Sequence, residues 1–189
     1  VMRDPDTGWI NYGAYRVQSH GPNVATVMCS KGKHGDLIKR RYHERAEVDD
    51  SVTPAPLHSG RVVRSGTDVT LIAYGPMVKT CLDAAEAAIE DGHDLEVIDL
   101  RTLSPLDMGV VDESVQKTGR VVTVHEAQLN LGLGAELAAR ISDQCFYSLE
   151  APVLRVAGFD TPYPPSRVEE EYLPDLDRVL DMVDRSLAY

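Results

Sequence analysis

The amino-acid sequence predicts an α/β domain over residues 61–189, with three layers and a mainly parallel sheet. A short β-hairpin and helix precede it. Two observations predict this fold: short apolar runs alternate four times with segments of helical periodicity, and the runs are apolar on both faces. Strands of that kind are typical of a parallel sheet that is covered by helices on both sides. Such a sheet is expected to have right-handed connections.

The elements follow from local signals in chain order. The run 69–75 is rich in β-branched residues and ends at Gly75, which indicates a buried strand. Apolar residues recur at helical spacing over 77–92 and stop at a glycine, and a second helix after Pro105 stops at Gly119. The other predicted strands are 95–100, 120–127 and 151–158, and the other predicted helices are 106–119, 135–149 and 173–189.

Residues 1–46 do not continue this alternation of strands and helices. The stretches 9–21 and 23–35 indicate two strands, with turns at Gly21-Pro22 and at Gly32/Gly35. A basic segment, 37–48, has helical character. We expect residues 1–46 to be an appendage whose independent folding is left open, 47–60 to be a linker, and 61–189 to be the main domain.

Charge divides the chain near the same place. The formal net charge is −11, and it separates into +4 over residues 1–46 and −15 over residues 47–189. The acidic part should repel nucleic acid and anionic membranes and favour a basic partner. The alternative is that these acids only form a solvated surface.

Composition also bears on the cellular compartment. The sequence is 43% hydrophobic, yet it has no apolar run of the roughly 20 residues that a membrane helix needs. The first residues, VMRDPDTG, have no apolar signal core. Cys29, Cys81 and Cys145 lie far apart, without a CxxC spacing. These features predict a cytoplasmic protein with reduced, buried cysteines and no zinc site.

Several motifs in the larger part occur in the order known from one family. They are GRVVRSGTDVTLIAYG (60–75), LEVIDLRTLSPLD (95–107), VVTVHEA (121–127), LGAELAARI (133–141), EAPVLRVAGFDTPYP (150–164) and YLPDLDRVL (172–180). This part resembles the transketolase-like C-terminal domain of the β subunit in the first component of 2-oxo acid dehydrogenase complexes. CFYSLEAP and GFDTPYPP look more like the branched-chain 2-oxo acid enzymes than the pyruvate enzymes.

The resemblance implies a role in assembly. In that family the C-terminal domain packs an α2β2 heterotetramer and docks the acyltransferase core. Thiamine diphosphate and Mg²⁺ are held by parts of the complex that have no counterpart in this sequence. The resemblance therefore implies partners (the α subunit, a second β subunit and the acyltransferase subunit-binding domain) and no catalysis by the isolated chain.

A group of acidic residues near the C-terminus would suit the basic subunit-binding domain of that acyltransferase. The candidate docking residues are Glu169, Glu170, Glu171, Asp175, Asp177, Asp181 and Asp184. Like charges clustered in this way raise the rate of association with a basic surface and make it sensitive to salt. The alternative is that they keep the outer face of the last helix solvated.

His125 and Glu126 come near the end of a predicted strand, where α/β domains collect functional groups. A histidine beside a carboxylate could transfer protons. Consecutive strand residues point to opposite faces, however, so a hydrogen-bonded structural histidine is the favoured interpretation. The glycines of LGLGAE (131–136) favour close helix packing, because the GxGxxG spacing of a dinucleotide site is absent.

The first segment resembles a different family, the UbiD-type decarboxylases that use prenylated flavin mononucleotide. The residues that carry this resemblance are GWINYGAYRVQ (8–18), GKHGD (32–36) and KRRYHERAE (39–47). It implies that Asn11 and His34 help to hold a divalent metal at the flavin phosphate, and that Arg16 lies near the substrate carboxylate. An amide oxygen, an imidazole and a guanidinium are suited to those tasks.

The second resemblance ends at Glu47, before the further metal-binding glutamate and the catalytic glutamate pair of that family. Three interpretations therefore stay open. The first is an assembly and docking domain, the second a fragment of a prenylated-flavin (de)carboxylase, and the third a chimera without a physiological task.

Overall fold

The computed structural model describes residues 58–189, Pro56, Leu37, Arg40 and the backbone of four short strands before residue 29. The chain divides into two compact units, Val1–Pro54 and Ala55–Tyr189. The boundaries expected for the appendage and the linker remain predictions.

The first unit contains two antiparallel strand pairs. β1 (Met2–Arg3) pairs with β2 (Ile10–Asn11), and β3 (Arg16–Gly21) pairs with β4 (Val24–Met28). β3 ends at Gly21 and β4 begins at Val24, and the expected turn at Gly21-Pro22 extends outside the described residues.

Two further predictions, a turn and a basic helix, fall in the rest of this unit. The expected turn at Gly32/Gly35 and most of the basic helix lie outside the described residues. Leu37 and Arg40 are helical and exposed.

The second unit is built on a five-stranded sheet. Its strands are β5 (Arg61–Arg64), β6 (Val69–Ala73), β7 (Leu95–Asp99), β8 (Val121–Gln128) and β9 (Leu154–Gly158). Their spatial order is β5-β7-β6-β8-β9. β7, β6, β8 and β9 are parallel, and β5 is antiparallel to β7. Loops that carry functional groups therefore collect at the carboxyl ends of the four parallel strands.

Four helices cover the two faces of the sheet. They are α1 (Met77–Ala87), α2 (Met108–Thr118), α3 (Leu133–Gln144) and α4 (Leu176–Leu187). α1 and α4 pack on one face, around a core that includes Leu71 and Val122. α2 and α3 pack on the other, around Ile72 and Ile98. Neighbouring residues of β6 thus enter opposite cores, which is why the strand is apolar throughout.

The predicted three-layer, mainly parallel architecture is confirmed. Several boundaries differ. α1 ends at Ala87 rather than at 92, α4 begins at Leu176 rather than at 173, and β9 begins at Leu154 rather than at 151. α3 ends at Gln144 and is followed by a separate 3₁₀ turn at Phe146–Ser148. β5 was not predicted. It has four residues, begins and ends with arginine and shifts register between Val62 and Arg64, so it gives neither an apolar run nor a regular alternation.

No helix in the described part of the chain is long and apolar enough to cross a membrane.

Candidate functional site

His125 lies in β8 with only 1% of its surface exposed, and both of its ring nitrogens are engaged. The backbone N–H of Gly134 donates to Nε2 at 3.0 Å, and Nδ1 lies 3.0 Å from the carbonyl oxygen of Ala127. Because Nε2 accepts, the proton belongs on Nδ1, which donates to that carbonyl. Burial lowers the pKa of His125 and keeps the ring neutral. This arrangement supports a structural histidine that joins β8 to the start of α3.

The glycines before and within α3 allow this approach. A Cβ atom added to Gly134 would lie 2.5 Å from His125 Nε2 and 2.7 Å from Thr123 Oγ1. A Cβ atom added to Gly132 would lie 2.7 Å from His125 Cε1. The LGLGAE segment is therefore shaped by close packing of a helix start against an imidazole, which leaves no room for a phosphate at these two positions.

Glu126 follows His125 in β8 and belongs to a polar group at the carboxyl edge of the sheet. Burial, and then the negative charge of Glu169, raise the pKa of Glu126. Tyr163 donates a hydrogen bond to Glu169 Oε1, which raises the pKa of Tyr163 to about 12. The carboxylates of Glu126 and Glu169 therefore lie close enough to repel each other.

The loops after β8 and β9 are tied to each other at this edge. The backbone N–H of Asn130 donates to Asp160 Oδ1 at 2.8 Å, and Gln128 Nε2 donates to the carbonyl oxygen of Thr161 at 2.6 Å. Arg155 Nη1 donates to the carbonyl oxygen of Leu129 at 3.1 Å. The two loops therefore form a single, cross-linked surface.

The acidic residues near the C-terminus are spread along α4 and the segment before it. Asp175 caps α4, because its side chain accepts a hydrogen bond from the backbone N–H of Arg178 at 2.8 Å. Asp177, Asp181 and Asp184 are exposed on the helix. Within the part of the chain that the structure describes, none of these three carboxylates takes part in an ion pair.

Glu170 and Glu171 are also exposed, whereas Glu169 is half-buried beside Tyr163. The acidic residues therefore fall into two groups: three carboxylates on the outer face of α4, and the run that precedes this helix.

A cleft of about 410 Å³ lies between β9 and α4. Its lining residues are Arg155, Val156, Asp177, Arg178, Asp181 and Met182. Arg178 reaches from α4 to the end of β9. Its guanidinium donates to the carbonyl oxygen of Ala157 and lies 4.8 Å from the ring centroid of Phe159. One wall of the cleft is thus the acidic face of α4.

A buried ion pair that was not predicted lies at the opposite edge of the sheet. Glu96 of β7 is fully buried, and its Oε2 accepts from Lys117 Nζ of α2 and from the backbone N–H of Gly66. A charged residue inside the apolar run LEVIDL was the available signal. Its partner lies 21 residues away and could not be identified from spacing.

The side chains implied by the second resemblance are not brought into a describable site. Asn11 ends β2 and Arg16 begins β3, but only their backbone is described. His34 lies outside the described residues. The roles of Asn11, Arg16 and His34 stay predictions.

Cysteine and metal chemistry can be assessed only in part. Cys81 and Cys145 are free and buried, as predicted, and Cys29 lies outside the described residues. Burial raises the pKa of Cys81 to about 12, and burial beside Asp112 raises that of Cys145 to about 11. Among the described residues, no three His, Cys, Asp or Glu side chains are grouped so that they could hold a metal ion.

Two family models match the chain. "Transketolase, C-terminal domain" matches residues 58–179, and "3-octaprenyl-4-hydroxybenzoate carboxy-lyase Rift-related domain", of the UbiD family, matches residues 1–108. Both matches include residues 58–108, which the structure places in the five-stranded sheet and in α1.

Two curated relatives illustrate the similarity of the larger part. The chain is 57% identical over 149 residues to the pyruvate dehydrogenase E1 component subunit beta of Leifsonia xyli subsp. xyli, covering 79% of this chain and 44% of that protein. It is 56% identical over 151 residues to the 3-methyl-2-oxobutanoate dehydrogenase subunit beta of Mycobacterium tuberculosis, covering 79% and 43%. The chain thus spans less than half the length of these relatives.

A solved structure, described as a split gene transketolase in an inactive beta4 tetramer, has a TM-score of 0.63 to this chain at 30% sequence identity. The match covers 75% of this chain and 45% of the other. It places the five-stranded sheet and its helices in the same fold.

Proposed function

Because the chain belongs to the transketolase C-terminal domain family over residues 58–179, and also matches the UbiD family over residues 1–108, we propose that its larger unit serves assembly and docking in a 2-oxo acid dehydrogenase. The relatives are β subunits of pyruvate and 3-methyl-2-oxobutanoate dehydrogenases. In this proposal the unit contacts an α subunit and a second β subunit, and it docks the acyltransferase through a basic subunit-binding domain. In this proposal, assembly and docking take place in the cytoplasm.

The unpaired acidic face of α4 carries the proposal. The helix buries Val179 and Val183 against the sheet and turns Asp177, Asp181 and Asp184 to solvent. Asp177 and Asp181 are one helical turn apart and repel each other, because neither forms an ion pair with Arg155 or Arg178, which line the same cleft. A basic partner would relieve that repulsion, and the field of the acidic face would steer the partner onto the surface.

The cofactors of the relatives' complexes enter only at the level of the assembly. In the described residues, no three His, Cys, Asp or Glu side chains are grouped so that they could hold a metal ion. We propose that thiamine diphosphate and Mg²⁺ bind only in the assembled complex and that the isolated chain does not decarboxylate 2-oxo acids.

Calorimetric titration of the intact chain with a purified acyltransferase subunit-binding domain tests the proposal. We expect saturable binding at 50 mM salt and an affinity about tenfold weaker at 300 mM salt, because exposed charges are screened over about a Debye length. The triple variant Asp177→Asn, Asp181→Asn, Asp184→Asn should weaken binding and reduce the salt dependence.

A matched control has the same change of net charge on another helix. The triple variant Glu86→Gln, Glu90→Gln, Asp91→Asn removes three exposed acids in or just after α1 and should bind like the wild type. Binding that is unaffected by 300 mM salt, or equal losses in both triple variants, would overturn the assignment of α4. Turnover of 2-oxo acids by the isolated chain would overturn the proposal as a whole.

A second candidate function follows from the match of residues 1–108 to the UbiD-related family model. In that case the chain is a fragment of a prenylated-flavin (de)carboxylase that binds prenylated FMN and a divalent metal through Asn11, Arg16 and His34. Protein produced with a prenylflavin source should then absorb as a flavoprotein and contain metal, and Asn11→Ala or His34→Ala should reduce both. Colourless and metal-free protein would refute this candidate.

The presence of two family matches in one chain also keeps a third proposal, a chimera without a physiological task. Two separate complete genes, one for each segment, would support it. An activity or a partner that requires both segments would contradict it.

A further inference from the structure

The imidazole of His125 caps the start of α3 from a neighbouring strand. α3 begins at Leu133, and the N–H groups of a first helical turn have no acceptor inside the helix. Gly132 at the N-cap position makes no side-chain capping bond, whereas Nε2 of His125 accepts the N–H of Gly134 at 3.0 Å. The start of α3 therefore depends on an acceptor that can be protonated.

This bond exists only while His125 is neutral. Nδ1 carries the ring proton and donates to the carbonyl oxygen of Ala127, which leaves Nε2 as the acceptor. A second proton can bind only at Nε2, where it would face the N–H of Gly134 as one donor against another. Protonation therefore breaks the contact between β8 and α3.

The groups on the neighbouring strands favour the neutral ring. Burial has the largest effect on the pKa of His125, and the positive charge of Arg155 in β9 acts in the same direction, so that the pKa is lowered. Tyr74 follows β6 and stacks on the imidazole, with ring centroids 6.3 Å apart. Burial raises the pKa of Tyr74, so this neighbour is uncharged.

In the described part of the chain, no carboxylate forms an ion pair with the imidazole. Glu126 follows His125 in β8, and burial and the charge of Glu169 raise its pKa. The first acid of α3, Glu136, is paired with Arg140 of the same helix. A proton on His125 would thus gain no charged partner in the closed arrangement.

Thr123 offers the protonated ring another acceptor. Its Oγ1 is fully buried and has no hydrogen-bond partner. Thr123 and His125 are two residues apart in β8 and so lie on the same face of the sheet. A Cβ atom placed on Gly134 would lie 2.7 Å from Thr123 Oγ1 and 2.5 Å from His125 Nε2, which puts both atoms beside the same point. An unpartnered buried hydroxyl costs free energy, and a bond from Nε2–H would recover part of that cost.

The loop before α3 is held in an unfavourable conformation. The φ angle of Leu131 is 59°, in the left-handed region that a residue with a Cβ atom rarely adopts, and its side chain is fully exposed. The N–H of Asn130 is bonded to the loop after β9, and Leu137 keeps the body of α3 in the core. Loss of the bond at Gly134 would therefore let residues 131–134 relax while their surroundings stay in place.

We propose that His125 is an acid-sensitive latch on the loop between β8 and α3. In the closed state the neutral ring accepts from the N–H of Gly134. When Nε2 takes a proton from solvent, Nε2–H donates to Thr123 Oγ1 instead, and residues 131–134 move away from β8. The inference concerns a switch inside the fold and does not depend on the proposed docking function.

The direction of the pH dependence follows from the lowered pKa of His125. The latch stabilises the loop fully above the ordinary histidine pKa of about 6.5. This contribution is lost as the pH falls from there toward the lower folded value. The loop should therefore be closed at neutral pH and open in mild acid.

NMR spectroscopy of the intact chain tests the proposal, because it reads the ring nitrogens of His125 and the amide of Gly134 separately. Between pH 7 and pH 5, the protection of the Gly134 N–H against hydrogen exchange should fall about tenfold, as Nε2 becomes protonated. The amides of Ile72 and Ile98, in the core beside α3, should keep their protection. An unchanged Gly134 amide, or an equal loss in the core amides, would overturn the latch.

Two sets of variants separate the latch from a general effect of acid. His125→Gln places an amide oxygen that does not titrate near the position of Nε2, so Gly134 should stay protected at both pH values. Thr123→Val removes the second acceptor and should shift the opening about one pH unit lower, whereas Thr123→Ser keeps the hydroxyl and should behave like the wild type. Loss of protection in His125→Gln would overturn the role of His125. Equal midpoints in Thr123→Val and Thr123→Ser would overturn the exchange of partner, and this comparison decides the matter even if His125→Gln does not fold.

Discussion

Replacing Lys117 with methionine tests how the buried ion pair stabilises the larger unit. In the native protein Glu96 is fully buried, and its Oε2 accepts from Lys117 Nζ, from Gly66 N–H at 3.3 Å and weakly from Ser65 Oγ at 3.5 Å. Its other oxygen, Oε1, is buried without a hydrogen-bond partner. The substitution keeps most of the aliphatic stem of Lys117 and removes the ammonium group that neutralises this carboxylate.

The expected loss in free energy of unfolding at pH 7 is about 2 kcal/mol. Breaking a fully buried pair by removing one partner costs about 3–5 kcal/mol. The side chain of Lys117 is 42% exposed, so water can replace part of its interaction with Glu96, and the value must be reduced. The hydrogen bond from Gly66 should survive in the variant.

The pH dependence has a definite sign. Burial alone would raise the pKa of Glu96, but the bonds from Lys117, Ser114 and Gly66 outweigh it and lower that pKa. The pair therefore stabilises the fold fully above the ordinary glutamate pKa of about 4.3, and this contribution is lost as the pH falls through the lower folded value. In Lys117→Met the burial effect prevails, the folded pKa is raised, and the variant loses stability as the pH rises above about 4.3.

Hydrogen-exchange mass spectrometry in urea, followed on peptides from β6 and β7, measures this stability separately from that of the first unit. The wild type should exceed Lys117→Met by about 2 kcal/mol at pH 7 and by clearly less at pH 4, and the remaining difference should disappear as the pH falls through the lowered folded pKa of Glu96. The double variant Glu96→Gln, Lys117→Met should recover most of the loss, because the neutral amide needs no cation. An equal difference at both pH values, or no recovery in the double variant, would refute the reasoning.

Three further predictions concern packing, reactivity and capping. Gly134→Ala should lower the free energy of unfolding by about 2 kcal/mol in urea denaturation, because the new methyl group would lie 2.5 Å from His125 Nε2; an unchanged value would contradict the close packing. Cys81 and Cys145, with pKa values raised to about 12 and 11, should resist iodoacetamide at pH 8 in the native protein and react in urea, and rapid native alkylation would show that they are accessible. Asp175→Ala should cost about 1 kcal/mol in thermal unfolding through loss of the α4 cap, whereas Asp175→Asn should cost much less.

The fold of the larger unit was predictable because its signals are local. β6 and β7 are short apolar runs, and Gly119 ends α2 in the left-handed conformation, as a C-terminal glycine should. β5 escaped prediction for the opposite reason. It forms only because the edge of β7 is available, and that availability is a property of the assembled sheet.

The candidate site was predictable in its parts and not in its arrangement. The sequence located His125 and the glycines around Gly134, but the engagement of both imidazole nitrogens depends on how β8 meets α3. The full exposure of Leu131 could not be anticipated, since nothing in LNLG (129–132) distinguishes a buried leucine from one held in solvent. Leu131 became notable only when its φ angle and exposure were both known.

Hydrogen-exchange mass spectrometry of the intact chain, with and without the acyltransferase subunit-binding domain, tests the central claim most directly. The account predicts slower exchange on binding in peptides that cover residues 169–187, and unchanged exchange in residues 1–54. Protection confined to residues 1–54, or unchanged exchange throughout at a saturating concentration of the partner, would contradict the claim that the transketolase-like unit is the docking domain.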